Sequence, residues 1–170
     1  IGVDPYYLAH KAMDVGAHPK LIFASREINE RMIDFVADRI IDKLNEKNKF
    51  QLGMPLNVLG VTFKENCTDT RNSGVVKLIR ALEVRGCKIF AHDPLASLDT
   101  TNKNFEVELF EWDKLPKTDA MILASPHNFL LDYGLDCLLQ KLKKEGLLAD
   151  LKAVLNKKAI EDKGFSVLRI

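Results

Sequence analysis

The chain has 170 residues, 46% of them hydrophobic and 29% charged, with a formal net charge of +1. That length suffices for one well-buried domain plus an additional element. The near-neutral balance removes any electrostatic reason to expect nucleic acid or an anionic membrane surface as partner, and no apolar run approaches the ~20 residues that cross a bilayer.

Three cysteines (Cys67, Cys87 and Cys137) and four histidines (His10, His18, His92 and His127) are scattered, without a C-x-x-C pair. Neither a disulfide framework nor a metal site is expected, and the thiols read as those of a reducing, cytoplasmic compartment. The first residues, Ile1-Gly2-Val3-Asp4-Pro5, read like the middle of a motif, so a fragment of a longer chain is expected.

In chain order, Pro5 to Val15 predicts a short helix, with proline in the first turn and Gly16 as its stop. Asp4 suits an N-cap before it. Tyr6 and Tyr7 are expected to pack this helix on its neighbours. Pro19 opens a longer helix to about Asn48, whose apolar positions Ile28, Met32, Phe35, Val36, Ile40 and Leu44 recur at spacings of three and four. Such a stripe must be buried on a partner chain or on the domain that follows.

Asn57–Phe63 predicts a buried strand, and a polar loop runs from Lys64 to Asn72. Ser73 reads as the N-cap of a helix over Gly74–Arg85, ended by Gly86. Lys88–His92 predicts a second strand, closed by Asp93-Pro94. Phe105–Leu109 predicts a short strand, and the uncharged run Ala120–Ala124 a central one. Leu130–Lys144 predicts a helix stopped by Gly146. Leu147–Asp150 and Phe165–Leu168 predict further short strands. Strands alternating with helices give an α/β fold: a long helix followed by a Rossmann-like, doubly wound parallel sheet. The expected division is a helical region over 1–50 and the sheet domain over 51–170.

Ligands of such sheets bind outside the carboxyl ends of the strands. Three polar groups are predicted there: the Lys64–Arg71 loop, Asp93, and Ser125-Pro126-His127. Lys64 and Arg71 can hold a phosphate, or they can simply neutralise Glu65 and Asp69. Asp93 suits a ribose hydroxyl or a turn. His127 suits an acid–base group or a polar cap on the strand end. Cys67, near Lys64 and Arg71, suits a nucleophile or an incidental loop thiol. No G-x-G-x-x-G follows Gly60, so any phosphate here would be held by charged side chains rather than a glycine-rich turn.

Two segments resemble a known family. Ile1-Gly2-Val3-Asp4-Pro5-Tyr6-Tyr7-Leu8 resembles the segment after the catalytic cysteine of UDP-glucose/GDP-mannose dehydrogenases, and the run from Val58 to Ser73 (VLGVTFKENCTDTRNS) resembles their carboxyl-terminal signature. The wording is most similar to the UDP-N-acetylhexosamine 6-dehydrogenase branch. The resemblance implies an amino-terminal NAD domain, a long central helix that builds a homodimer, and a carboxyl-terminal domain for the UDP moiety. The implied reaction oxidises a sugar C6 alcohol to a carboxylate with two NAD, by way of a cysteine-bound aldehyde, for surface polysaccharide synthesis. That cysteine would stand directly before Ile1, so the chain alone is expected to be inactive.

By the same resemblance, Asp4 helps to activate or position water. Phe63 and Lys64 contact the UDP-sugar, with Lys152 a basic position near the nucleotide. Arg71 reaches NAD, and the Ile1–Gly2–Val3 backbone lies beside the cofactor and the catalytic cysteine. The alternatives are a stand-alone UDP-binding or regulatory module without catalysis, or a dimerisation module.

Overall fold

The computed structural model describes residues 4–96 and 107–170. Five parallel strands form one sheet in the order β2-β1-β3-β4-β5, with β1 Pro55–Leu59, β2 Lys88–His92, β3 Thr118–Leu123, β4 Leu142–Asp150 and β5 Ser166–Leu168. The doubly wound parallel fold expected from the alternation of strands and helices is the one observed.

The inner strands alternate between two cores, as a period of two demands. Leu56, Val58, Ala120, Ile122, Leu147 and Ala149 face one side, where α2 (Lys20–Asn45) and α3 (Gly74–Val84) pack. Leu59, Met121, Leu123 and Leu148 face the other, covered by α4 (Asn128–Asp132), α5 (Gly134–Gln140) and α6 (Lys157–Asp162). Both faces being dry explains why β1 and β3 are apolar runs with little polar alternation.

Helix α2 has 26 residues and two different halves. Ala37, Ile40 and Leu44, three and four apart, are buried in the core beneath the sheet. Arg85, at the end of α3, clamps this half through Asp34 (3.0 Å) and Asp38 (2.7 Å). An exposed stripe runs from the amino-terminal end to just past the middle, with Leu21 80%, Ile28 65% and Phe35 49% accessible. These three recur every seven residues, so they share one helix face. Helix α1 (Asp4–Asp14) lies against α2 through Tyr6, whose hydroxyl donates to Glu30 (3.2 Å) while the Arg26 guanidinium covers its ring.

Several predicted boundaries move. Asp4 is the first residue of α1 rather than the residue before it, and Tyr7 is 72% exposed while Tyr6 does the packing. The first strand stops at Leu59 because Gly60, at φ +76°, turns the chain out of the sheet. The predicted helix over Leu130–Lys144 is two short helices, divided where Gly134 adopts φ +75°, and Leu142–Lys144 belong to β4 instead. Helix α6 is a single buried contact, Ile160, in an otherwise polar turn, too short to give a periodic signal. Of the strand predicted at Phe105–Leu109, residues 105 and 106 lie outside the described residues, and Leu109 bridges Ala91 in parallel. No helix among the described residues is long and apolar enough to cross a membrane.

Candidate nucleotide-binding site

Strands β1 and β3 are neighbours whose continuations leave in opposite directions, β1 towards α3 and β2, β3 towards α4, α5 and β4. A doubly wound sheet opens its binding crevice at such a point. The loop from Val61 to Asn72 is the lip of that crevice, and its shape is set from beneath.

Ser73 caps α3, its Oγ accepting from the Val75 N–H (3.2 Å) and donating to the Val61 carbonyl (2.8 Å), so one hydroxyl joins the start of the helix to the start of the loop. The Ser125 hydroxyl donates to the Thr62 carbonyl (3.0 Å). Asp93 Oδ2 accepts the Val61 N–H (2.7 Å) and, more weakly, the Thr62 N–H (3.3 Å), while Oδ1 accepts from Leu95 (3.0 Å). The His127 ring is wedged beneath the loop. Its Nδ1 accepts the Asn66 N–H (2.8 Å), which puts the ring proton on Nε2, and Nε2 faces Asp93 Oδ2 (3.0 Å) and Thr62 Oγ1 (3.1 Å). Asn66 adopts φ +56°, a conformation asparagine tolerates, and its Oδ1 accepts from the Asn128 N–H (2.9 Å).

The Asp93 and His127 side chains are both 0% exposed. Burial alone would raise the Asp93 carboxyl, but the bonds from His127, Val61 and Leu95 outweigh it and hold the group below the ordinary carboxylate range. Both oxygens of Asp93 are therefore occupied by the protein's own N–H groups, and both nitrogens of His127 by the loop and Asp93. The ribose contact considered for Asp93 and the acid–base role considered for His127 do not fit this burial; their work is to shape the loop. Cys67 Sγ accepts the Asp69 N–H (3.2 Å), a turn contact within the loop. Cys87 is buried, which pushes its thiol up to about 11 and leaves it inert at neutral pH. No cluster of three or more ligating side chains that could hold a metal occurs among the described residues.

The exposed side of the loop carries the residues singled out in the sequence. Phe63 is 51% exposed, and its N–H closes the loop by donating to the Asp69 carbonyl (2.8 Å). Arg71 forks onto Asp69, Nε to Oδ1 at 3.0 Å and Nη2 to Oδ2 at 2.9 Å; this fork, with the Arg71 backbone N–H on Oδ1 (2.9 Å), lowers the Asp69 carboxyl to about 2. Phe63 and Arg71 line one cleft of about 1010 Å³, whose far wall is Pro5 and Tyr6 of α1 with Arg26 and Glu30 of α2. Asp4 immediately precedes that wall. Lys64 and Lys152 lie away from the cleft lining: Lys64 is exposed, and Lys152 pairs with Glu65 at 3.7 Å, next to Lys64 in the chain. The fold thus brings Lys152, from the end of β4, to the β1 loop. Ile1, Gly2 and Val3 lie outside the described residues.

Residues 57–157 match the family model for the UDP-glucose/GDP-mannose dehydrogenase family, UDP binding domain. The chain is 37% identical over 156 residues to Protein CapL of Staphylococcus aureus, covering 92% of this chain and 37% of that protein. It is 33% identical over 155 residues to UDP-N-acetyl-D-glucosamine 6-dehydrogenase of Salmonella typhi, covering 91% of this chain and 36% of that one. The chain therefore spans little more than a third of the length of these relatives. The fold is shared with NDP-N-acetyl-D-galactosaminuronic acid dehydrogenase of Methanosarcina mazei Go1, at a TM-score of 0.81 and 18% identity over 97% of this chain and 36% of that one. On the match of its sheet domain, the chain belongs to the UDP-glucose/GDP-mannose dehydrogenase family.

Proposed function

We propose that the chain is the UDP-sugar-receiving part of an NAD-dependent nucleotide-sugar 6-dehydrogenase. Its reaction oxidises the C6 alcohol of a UDP-N-acetylhexosamine to the uronic acid, a precursor for surface polysaccharide. The observation that carries this reading is the loop at the β1/β3 divide. It is fixed from below by Asp93, Ser125 and His127, and it presents Phe63 and Lys64 outward with Lys152 close by. An anchored loop can hold a ligand without losing order on binding. The lysine supplies a point charge for a diphosphate and the phenyl ring an apolar surface.

The same loop lacks the glycine-rich turn of a dinucleotide site. NAD is accordingly held chiefly by a domain upstream of this chain. Arg71, a guanidinium on the cleft rim, fits a contact to an anionic phosphate of that cofactor. NAD supplies the hydride acceptor. Asp4, at the start of α1 and beside the cleft wall, holds and polarises a water. Without the upstream part, the 170 residues bind but do not turn over. Residues 1–50 form the helical dimerising region and 51–170 the nucleotide domain, and two copies pair through the Leu21–Ile28–Phe35 stripe of α2. The free thiols among the described residues suit the cytoplasm.

Calorimetric titration of UDP into the chain and its Lys64→Ala variant tests the assignment. Binding that weakens roughly tenfold or more in the variant, the scale of a lost charge-assisted hydrogen bond, supports it. Equal binding by both removes Lys64 from the site. A chain that binds no nucleotide, alone or joined to its upstream part, favours a dimerisation module.

A further inference from the structure

The middle of the loop that presents Phe63 and Lys64 is tied down at Asn66 by one ring. Among the described contacts, the Asn66 amide has a side-chain acceptor, His127 Nδ1, and that nitrogen accepts only while it carries no proton. Asp93 is the titratable side chain in contact with the ring; Thr62 and Asn66 are neutral, and Phe129 stacks on its face at 5.4 Å. Lys64 and Glu65 precede Asn66 and Cys67 follows it; Lys64 is exposed, Glu65 faces Lys152 (3.7 Å), and Cys67 Sγ accepts from Asp69. Asp93 holds Nε2–H and so directs the lone pair of Nδ1 at the loop.

We propose that His127 is a positioning residue for the nucleotide-sugar site, and that its neutral ring is required to hold the 63–68 segment in its binding shape. The inference rests on the reading of this loop as the UDP-sugar contact. A proton on Nδ1 turns an N–H···N bond into two opposed N–H groups, at a ring whose own side chain is fully buried. The Asn66 amide is then displaced, the Asn66–Asn128 bond goes with it, and Phe63 and Lys64 lose their fixed presentation. Asp93 remains an anion below the ring, so acidification acts on the loop while the Val61 end stays tied.

Two variants separate this from general loss of structure. In His127→Asn the amide oxygen reaches the Nδ1 position and does not titrate; in His127→Phe the ring still stacks on Phe129 but offers no acceptor. UDP-N-acetylglucosamine is the probe, because a diphosphate esterified at both ends keeps its charge as pH falls. Affinity, the protection of the Asn66 amide relative to its intrinsic exchange rate, and the His127 ring chemical shifts are measured on the 170-residue chain at about pH 7.5 and about pH 5.5.

The wild type is expected to lose affinity roughly tenfold on acidification, the scale of one hydrogen bond, with a lower protection factor at Asn66 in ligand-free protein. His127→Asn keeps both affinity and protection factor across the range, and His127→Phe is weak and poorly protected at both. Equal pH dependence in wild type and His127→Asn overturns the proposal, as does Asn66 protection that survives once the ring shifts show His127 protonated, or that survives in His127→Phe. Absence of UDP-sugar binding at neutral pH overturns the nucleotide reading instead. The exchange measurement still decides the latch in that case, and the wild-type pH series decides it should the phenylalanine variant not fold.

Discussion

Gly60 and Ser125 meet so closely that a β-carbon on the glycine would stand 2.0 Å from the serine carbonyl oxygen. This contact is where β1 and β3 part, and no other residue type fits it, because Gly60 also adopts φ +76°. Gly60→Ala is expected to destabilise the chain by about 2–4 kcal/mol, backbone strain and overlap together. Urea unfolding checks it; a loss below half a kcal/mol would mean the strands separate there without cost.

Acid stability should report on Asp93. Its carboxyl is held below the ordinary range, so the stabilisation is complete above the unfolded value of about 3.9 and is lost as pH falls through the lower, folded value. Asp93→Asn is expected to cost about 1–3 kcal/mol near neutrality, and the gap to wild type should narrow below about pH 4. A gap of constant size across that window would show that charge plays no part.

Arg71 is expected to set the titration of its neighbour. In wild type the Asp69 carboxyl titrates near 2. In Arg71→Ala it should rise part of the way towards about 3.9, the free aspartate value, because the residue-71 backbone N–H still donates to Oδ1. Carboxyl chemical shifts followed against pH distinguish the two, and an unchanged midpoint would refute the fork seen between them.

The two halves of α2 should answer differently to mutation. Ile40→Ala removes a fully buried side chain and is expected to cost about 2–5 kcal/mol. Ile28→Glu, on the exposed stripe, should change the stability of the unassociated chain by no more than about 0.5 kcal/mol while weakening self-association in sedimentation. Equal association of wild type and Ile28→Glu would take the stripe out of the dimer contact.

Much of the sheet could be read in advance because both its faces are dry. Val58-Leu59 and Ala120–Leu123 are apolar at successive positions, a pattern that survives without knowledge of partners. Leu130–Lys144 misled because apolar residues at helical spacing do not reveal a glycine at positive φ, and Gly134 was such a residue. The site divides in the same way. Phe63 and Arg71 declared themselves by sitting in a recognisable motif, and the fold gives them one cleft. Asp93 and His127 each looked like a polar group at a strand end. Only the pairing of two distant loops reveals that they face inward and occupy each other. Asn66 gave a faint signal, being a residue type that accepts left-handed backbone, but its partner lies 61 positions away.

Helix α2 is one unbroken rod of 26 residues, about 39 Å long at 1.5 Å per residue. Its far end is set into the floor beneath β1 and pinned by Arg85, so it has no hinge within its length. Whatever seats on the Leu21–Phe35 stripe therefore inherits a fixed bearing relative to the strand tips. Two copies joined there would have the aim of both crevices decided by the helix crossing angle alone, as two rifles bolted at the stock point only where the bolt allows.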